Sequence, residues 1–344
     1  MALGDIMAGP DRGSDKPQQG TSLTYVAAMI SGAIGSMGFL FATLLALQHT
    51  GRLPAPAISN NICIDEKLAF MREQPDHSPN LLVLGSSVAW RSVDGGVLAS
   101  VIDGVRPVNG AFCGLRMHQT EFVGDWLLDR MPSVRTVAVV ASPFDFVGCK
   151  VNPTEVFNRQ AADGFVFGRQ WKWGFYLRYF DPISLLRNVL HVSSMRHAKS
   201  LETLVFTPYG DGPLDTSESM PTLVYGELPP TLDPLCFQSL RRFAVRLSQE
   251  HRRLALIATP ISPAWTARFD RDGKAFEDFG KAVRAAFAGT GAIYWDGEKE
   301  SPMSPKAFTD AIHMRWSAVG QFTRTFASAL GKFLTPVHEQ AMSE

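Results

Sequence analysis

Five short, mostly apolar runs constrain this chain more than any other feature of its sequence. They are Leu81–Leu84, Val105–Val108, Val134–Ala141, Leu254–Thr259 and Ala292–Trp295. Runs of this kind, without polar alternation, predict strands buried on both faces of a parallel sheet. Helical patterns over Val97–Ile102, His118–Arg130, Leu235–His251, Lys274–Phe287 and Ala318–Leu334 separate most of them. Strands alternating with helices predict an α/β fold, with helices covering both faces of the sheet. Every run ends at a turn: Gly85, Asn109-Gly110, Ser142-Pro143, Pro260 and Asp296-Gly297. Ligands of open α/β sheets bind beyond the carboxyl ends of the strands, so chemistry is to be sought in these turns.

A second feature divides the chain. Ser22 to Gln48 contains no charged residue. Its apolar part, Tyr25 to Leu47, is long enough to cross a hydrocarbon core of about 30 Å as a helix. Gly32, Gly35 and Gly38 within it suit a packed membrane helix. A cleaved signal peptide competes, because Ala55-Pro56-Ala57 resembles a cleavage site. The stretch exceeds a signal peptide's apolar core and follows a long polar leader, which favours an uncleaved anchor. Arg12 and Lys16 precede the run and Arg52 follows it, favouring a cytoplasmic N-terminus with the bulk of the chain across the membrane. The expected organisation is a disordered cytoplasmic tail (1–21), a transmembrane anchor (22–48), a linker with a short helix near Glu66–Arg72 (49–78), an α/β domain (79–335) and a C-terminal tail (336–344).

Between the third and fourth strands lie more than a hundred residues, too many for one crossover. We read an insertion over about 146–233, rich in aromatics such as Phe165, Trp171, Trp173, Phe175, Tyr176 and Phe180. These can pack a satellite core, stack on sugar rings or lie on a membrane surface. The stretch Pro208–Asp233 reads as a loop. Lys+Arg and Asp+Glu each number 33, so no basic excess points to nucleic acid. The four cysteines, Cys63, Cys113, Cys149 and Cys236, show no metal-binding spacing. Disulfides are permitted outside the cytoplasm, and Cys113 and Cys149 both follow strands, but buried thiols are the expected state. No metal and no cofactor is implied.

The chemistry-bearing residues lie at the two ends of the α/β domain. Gly85-Ser86-Ser87 follows the first strand, where Ser87 becomes a nucleophile if a base reaches it. The alternative is a polar turn with Ser87 capping the next helix. Asp310-Ala311-Ile312-His313 lies between the last strand and the last helix, on the same sheet edge. His313 there can take the serine proton while Asp310 orients the ring, and otherwise Asp310 caps the last helix. Asn109 to Gly114 follows the second strand. Its glycine can bring a backbone N–H to a developing oxyanion.

Together these blocks resemble the SGNH (GDSL-like) hydrolase superfamily over roughly residues 79–335, the insertion excepted. The resemblance implies a three-layer α/β/α sandwich around a parallel five-stranded, flavodoxin-like sheet. It implies Ser87, His313 and Asp310 as the triad, and the Ser87 and Gly114 amides as the oxyanion hole. Ser86 stands where the family usually has Asp. The family's third-block Asn has no counterpart in Ser142-Pro143-Phe144-Asp145, leaving Ser86, Asn109 and Asp145 as supporting candidates. An α/β-hydrolase elbow is the rival, one glycine short in Gly85-Ser86-Ser87-Val88-Ala89. The anchor, domain and insertion together are similar to bacterial envelope acyltransferases of the alginate, cellulose or D-alanyl-transfer type. That likeness implies a single-pass inner-membrane protein with its catalytic domain in the periplasm or outside. The same likeness implies an esterase or O-acyltransferase acting on acyl groups of a polysaccharide, with a multi-pass acyltransferase as partner. The competing expectation is an inactive SGNH-like scaffold that binds polysaccharide or such a partner.

Overall fold

The structure, a computed structural model, describes residues 19–74, 78–197, 203–214, 222–223 and 231–334. Residues 1–18, with Arg12 and Lys16, and the C-terminal tail lie outside these residues, as does most of 215–230, while residues 19–21 of the expected disordered tail are helical, at the start of the first helix. The chain divides into two units, Met1–Leu53 and Pro54–Glu344. In the first, helix α1 (Gln19–His49) contains Leu23–His49, a segment long and apolar enough to span a membrane.

The second unit begins earlier than residue 79. Helix α2 (Ile62–Glu73), capped by Asn61, is longer than expected and buries Ile64 and Leu68 in the domain's apolar core. Next come β1 (Leu81–Leu84), α3 (Ser87–Arg91), α4 (Gly95–Val101), β2 (Pro107–Asn109), α5 (Met117–Leu128) and β3 (Thr136–Ala141). A 3-10 turn (Pro143–Phe146) follows β3, and the insertion holds α6 (Arg159–Val166), α7 (Lys172–Arg178) and α8 (Pro182–Arg196). The α/β pattern resumes with α9 (Pro234–Gln249), β4 (Arg253–Ala258), α10 (Pro263–Phe269), α11 (Lys274–Phe287), β5 (Ile293–Asp296), α12 (Gly297–Glu300) and α13 (Trp316–Leu334). The second strand starts two residues later than its apolar run, at Pro107, because Arg106 N is taken by the Asn80 side chain.

The five strands form one all-parallel sheet in the order β2-β1-β3-β4-β5. Alternate residues of each strand enter different apolar clusters, as the twofold period of a strand dictates. Leu82, Leu84, Val137 and Val139 pack with Phe122, Phe243 and Phe279 of α5, α9 and α11. Leu81, Val83, Ala138 and Val140 pack with Leu98 of α4 and Phe322 and Phe326 of α13. The chain runs outward from β1 to β2, then crosses back to β3. This reversal leaves a crevice beyond the carboxyl ends of β1 and β3.

The cysteines are a correction. Cys63 pairs with Cys113 and Cys149 with Cys236, and no thiol is free. Cys113 and Cys149 are therefore not partners. Each instead ties a strand-end loop to a helix, α2 in one case and α9 in the other, a proximity set by tertiary folding. The insertion's aromatics divide: Phe165 and Phe175 are buried and meet edge to face, while Trp171 and Phe180 are exposed. Residues 203–214 lack regular structure yet are fixed, with Asn109 N donating to Tyr209 O and Gly212 N to Trp90 O, each at 2.8 Å.

Candidate active site

The turn after β1 can be made only by glycine. Gly85 has φ +144°, and a Cβ there would stand 2.3 Å from Val140 O and 2.6 Å from Ala89 Cβ. Helix α3 can therefore start hard against β3. Its N-cap is Ser86, not Ser87: Ser86 Oγ accepts from Val88 N at 3.1 Å. The Ser86 hydroxyl also faces the Asp145 carboxylate and helps to hold its pKa down. Ser87, the first residue of α3, turns the other way and sets its Oγ 2.8 Å from His313 Nε2.

His313 is held by a short loop ahead of α13. Phe308 and Met314 pair across its base, Thr309 N donates to His313 O at 2.9 Å, and Ser262 N, beyond β4, donates to Ala311 O at 2.8 Å. Asp310 Oδ1 accepts from Ile312 N at 2.9 Å and His313 N at 2.8 Å. That leaves Oδ2 to face His313 Nδ1 at 2.7 Å. Burial opposes ionisation of Asp310. The His313 bond and charge, with the two amides, outweigh it and hold the carboxyl below the ordinary range. A carboxylate at Nδ1 favours the ring form that carries its proton there and offers an Nε2 lone pair to the serine hydroxyl.

The Asn109–Gly114 loop runs beside this turn, with Phe112 N donating to Gly85 O at 3.3 Å. Gly114 has φ +73° and open space where a Cβ would stand. Among the described residues, neither the Ser87 nor the Gly114 amide pairs with an acceptor. Such amides are what a developing oxyanion needs. The Asn109 side chain is not available for this work. Its Nδ2 donates to Ala89 O and Asp211 Oδ1, and its Oδ1 accepts from Ala111 N. Asn109 thus fixes the loop to α3.

At the end of β3, Ser142 and Asp145 cap each other across the 3-10 turn. Asp145 Oδ2 accepts from Ser142 N at 2.7 Å and from Ser142 Oγ at 3.1 Å. Burial pushes its pKa up, while the Ser142 and Ser86 donors pull it down. Asp145 therefore supports the serine turn through Ser86.

Sequence reasoning missed a buried clamp behind the site. Lys67 Nζ donates to Gly210 O at 2.5 Å and stands among the rings of Phe70, Trp90 and Phe206. Asp211 accepts from Gly95 N, Asn109 Nδ2 and Thr207 Oγ1. Burial depresses the Lys67 pKa to about 7 and raises that of Asp211, with their mutual attraction opposing both. Asp211 sits in a Gly- and Pro-rich stretch with no periodicity, so no sequence signal marked it. Among the described residues no three His, Cys, Asp or Glu side chains converge as a metal site requires.

Compared with known proteins, the chain matches no family model, and no characterised protein matches its sequence.

Proposed function

We propose that this chain is a serine esterase or O-acyltransferase of the SGNH type, anchored in a membrane by α1. The observation that carries the proposal is the continuous link from Ser87 Oγ through His313 to Asp310, at 2.8 and 2.7 Å. Three features support the family-level reading: a nucleophile directly after β1, an acid and base three residues apart before the last helix, and the strand order β2-β1-β3-β4-β5. In this reading the helices on the two faces of the sheet complete a three-layer sandwich.

The reaction follows from the site. Ser87 Oγ attacks an ester carbonyl as His313 Nε2 takes its proton. The Ser87 and Gly114 amides receive the oxyanion. Collapse breaks the ester bond, and the leaving alkoxide takes the proton back from His313. Water or a sugar hydroxyl then attacks the acyl-enzyme as His313 takes its proton; the acyl–Oγ bond breaks and His313 returns the proton to Ser87 Oγ. Asp310 holds the ring and stabilises the imidazolium. Two disulfides support an oxidising compartment. With the anchor, this favours a site outside the cytoplasm, an extracytoplasmic polysaccharide as acceptor, and a multi-pass membrane acyltransferase as source of the acyl group.

A scaffold reading has one specific support. The segment after β3, Ser142-Pro143-Phe144-Asp145, has no counterpart of the family's third-block Asn, and Asp145 there accepts hydrogen bonds and supplies no third donor. A fluorophosphonate probe and an activated acetyl ester separate the two. Covalent labelling and ester turnover, both lost in Ser87→Ala and in His313→Ala, are expected of the enzyme. A folded wild-type protein that neither labels nor turns over ester would leave the scaffold.

A further inference from the structure

The insertion presents an apolar stripe outward. On α8, Ile183, Leu186 and Leu190 are 79%, 68% and 70% exposed. Their spacing of three and then four residues sets them on one helical face. Arg187 and His191 lie on the exposed side with them, whereas Ser184, Val192 and Met195 are buried. The helix is thus held to the domain by one face and turns a second apolar face to the surroundings. Trp171 and Phe180, 63% and 43% exposed, flank α7, the helix that precedes α8 in the chain, where Lys172 and Arg178 supply cations. An exposed apolar helix face, with exposed aromatic and basic residues in the adjoining helix, has the composition of a segment lying in a membrane interface.

The chain's connectivity points to the same occupant. Tyr176 of α7 donates its hydroxyl to Pro54 O at 2.7 Å. Pro54 opens the globular unit and follows His49, the last residue of α1, by five residues. Five residues reach at most about 18 Å when fully extended. The insertion is therefore fastened to the first residue of the domain, a short tether beyond a helix long and apolar enough to span a bilayer.

We propose that the Ile183, Leu186 and Leu190 face of α8, with Trp171 and Phe180, rests on the lipid bilayer surface and sets the domain's orientation on the membrane. This rests on reading α1 as the anchor. A face buried in the headgroup region loses about 5–10 Å of its depth from water, while Arg187, Lys172 and Arg178 meet anionic headgroups.

All four cysteines are disulfide-bonded, so a single added cysteine takes a thiol-reactive NBD fluorophore alone. The full chain is reconstituted in vesicles of mixed zwitterionic and anionic phospholipid carrying nitroxides at shallow or deep acyl positions. Labels are placed singly at Ile183→Cys, Leu186→Cys and Leu190→Cys. Val101→Cys, on exposed α4 surface, serves as control, and Ile34→Cys reports on the anchor. Emission from 183, 186 and 190 should shift to the blue and be quenched more by shallow nitroxides than by deep ones. The label at 101 should stay aqueous, and that at 34 should be quenched by deep nitroxides. Deep quenching at 34 with aqueous labels on α8 overturns the proposal and spares the anchor. A blue shift on α8 without lipid quenching overturns it in favour of a protein partner, a second copy or another segment of this chain. No lipid quenching at 34 removes the anchor and this proposal with it.

Discussion

Two adjacent serines give the sharpest test of how this site is built, because the fold assigns them opposite tasks. Ser86 is 3% exposed, accepts from Val88 N and faces the Asp145 carboxylate. Ser86→Ala removes an N-cap, worth about 1 kcal/mol. It also removes the hydroxyl that faces a buried carboxylate, worth up to about 1 kcal/mol more. Asp145 keeps both Ser142 donors, which limits the total to roughly 1–3 kcal/mol. Ser87→Ala loses only the bond to His313, whose side chain is 21% exposed and can take a water instead. That substitution should cost less than about 1 kcal/mol. In a domain of this size each kcal/mol moves the melting temperature by about 2–4 °C. Thermal unfolding and fluorophosphonate labelling on the same preparations read both effects. Ser86→Ala should melt several degrees lower and still label, more slowly because α3 has lost its cap. Ser87→Ala should melt near the wild type and fail to label. Labelling that survives in Ser87→Ala and disappears in Ser86→Ala would refute the assignment of the turn.

Asp310→Asn should cost ester turnover about 10⁴-fold, as loss of the orienting carboxylate does in a triad. If the new amide keeps its oxygen on the two backbone N–H groups, its NH₂ faces Nδ1 and drives the ring proton to Nε2. A burst of acyl-enzyme at the wild-type rate would count against this. Asp65, near Ser59 and Glu66, is raised by burial from the usual carboxylate range to about 7. Its folded form holds a proton that the unfolded chain releases, so its cost is absent at low pH, grows from about pH 4 to 7 and is complete above 7. Asp65→Asn removes that cost, so the variant should gain up to about 4 kcal/mol on the wild type between pH 4 and pH 8 in denaturant melts. Parallel pH curves would contradict it. The disulfides close stretches of 50 and 87 residues. Removing either with a pair of Cys→Ser changes should lower stability by as much as about 4–5 kcal/mol on the loop-entropy account. A wild type with titratable free thiols under native, non-reducing conditions would show the pairs to be absent.

The apolar run and the buried runs were legible because they follow from local physics. Twenty-seven residues without charge, Ser22 to Gln48, have few alternatives to one long helix. Leu81–Leu84, with no polar alternation, suits a strand covered on both faces, and β1 falls on those four residues. The parallel sheet followed from strands separated by helical periods. Ser87, Asp310 and His313 were legible as candidates because strand-end position is itself readable. Their approach to within 2.8 Å was not, since Ser87 and His313 lie 226 residues apart. Only the assembled tertiary fold brings the loop before α13 over the end of β1. Nor did the sequence say that Ser86 would cap α3, because either serine suits that position and the choice falls to Gly85 and its contact with Val140. The cysteine pairing, the Lys67–Asp211 clamp and the fixed course of residues 203–214 had no local signature. Each depends on which segments the core places side by side, and that is decided by packing across the whole domain.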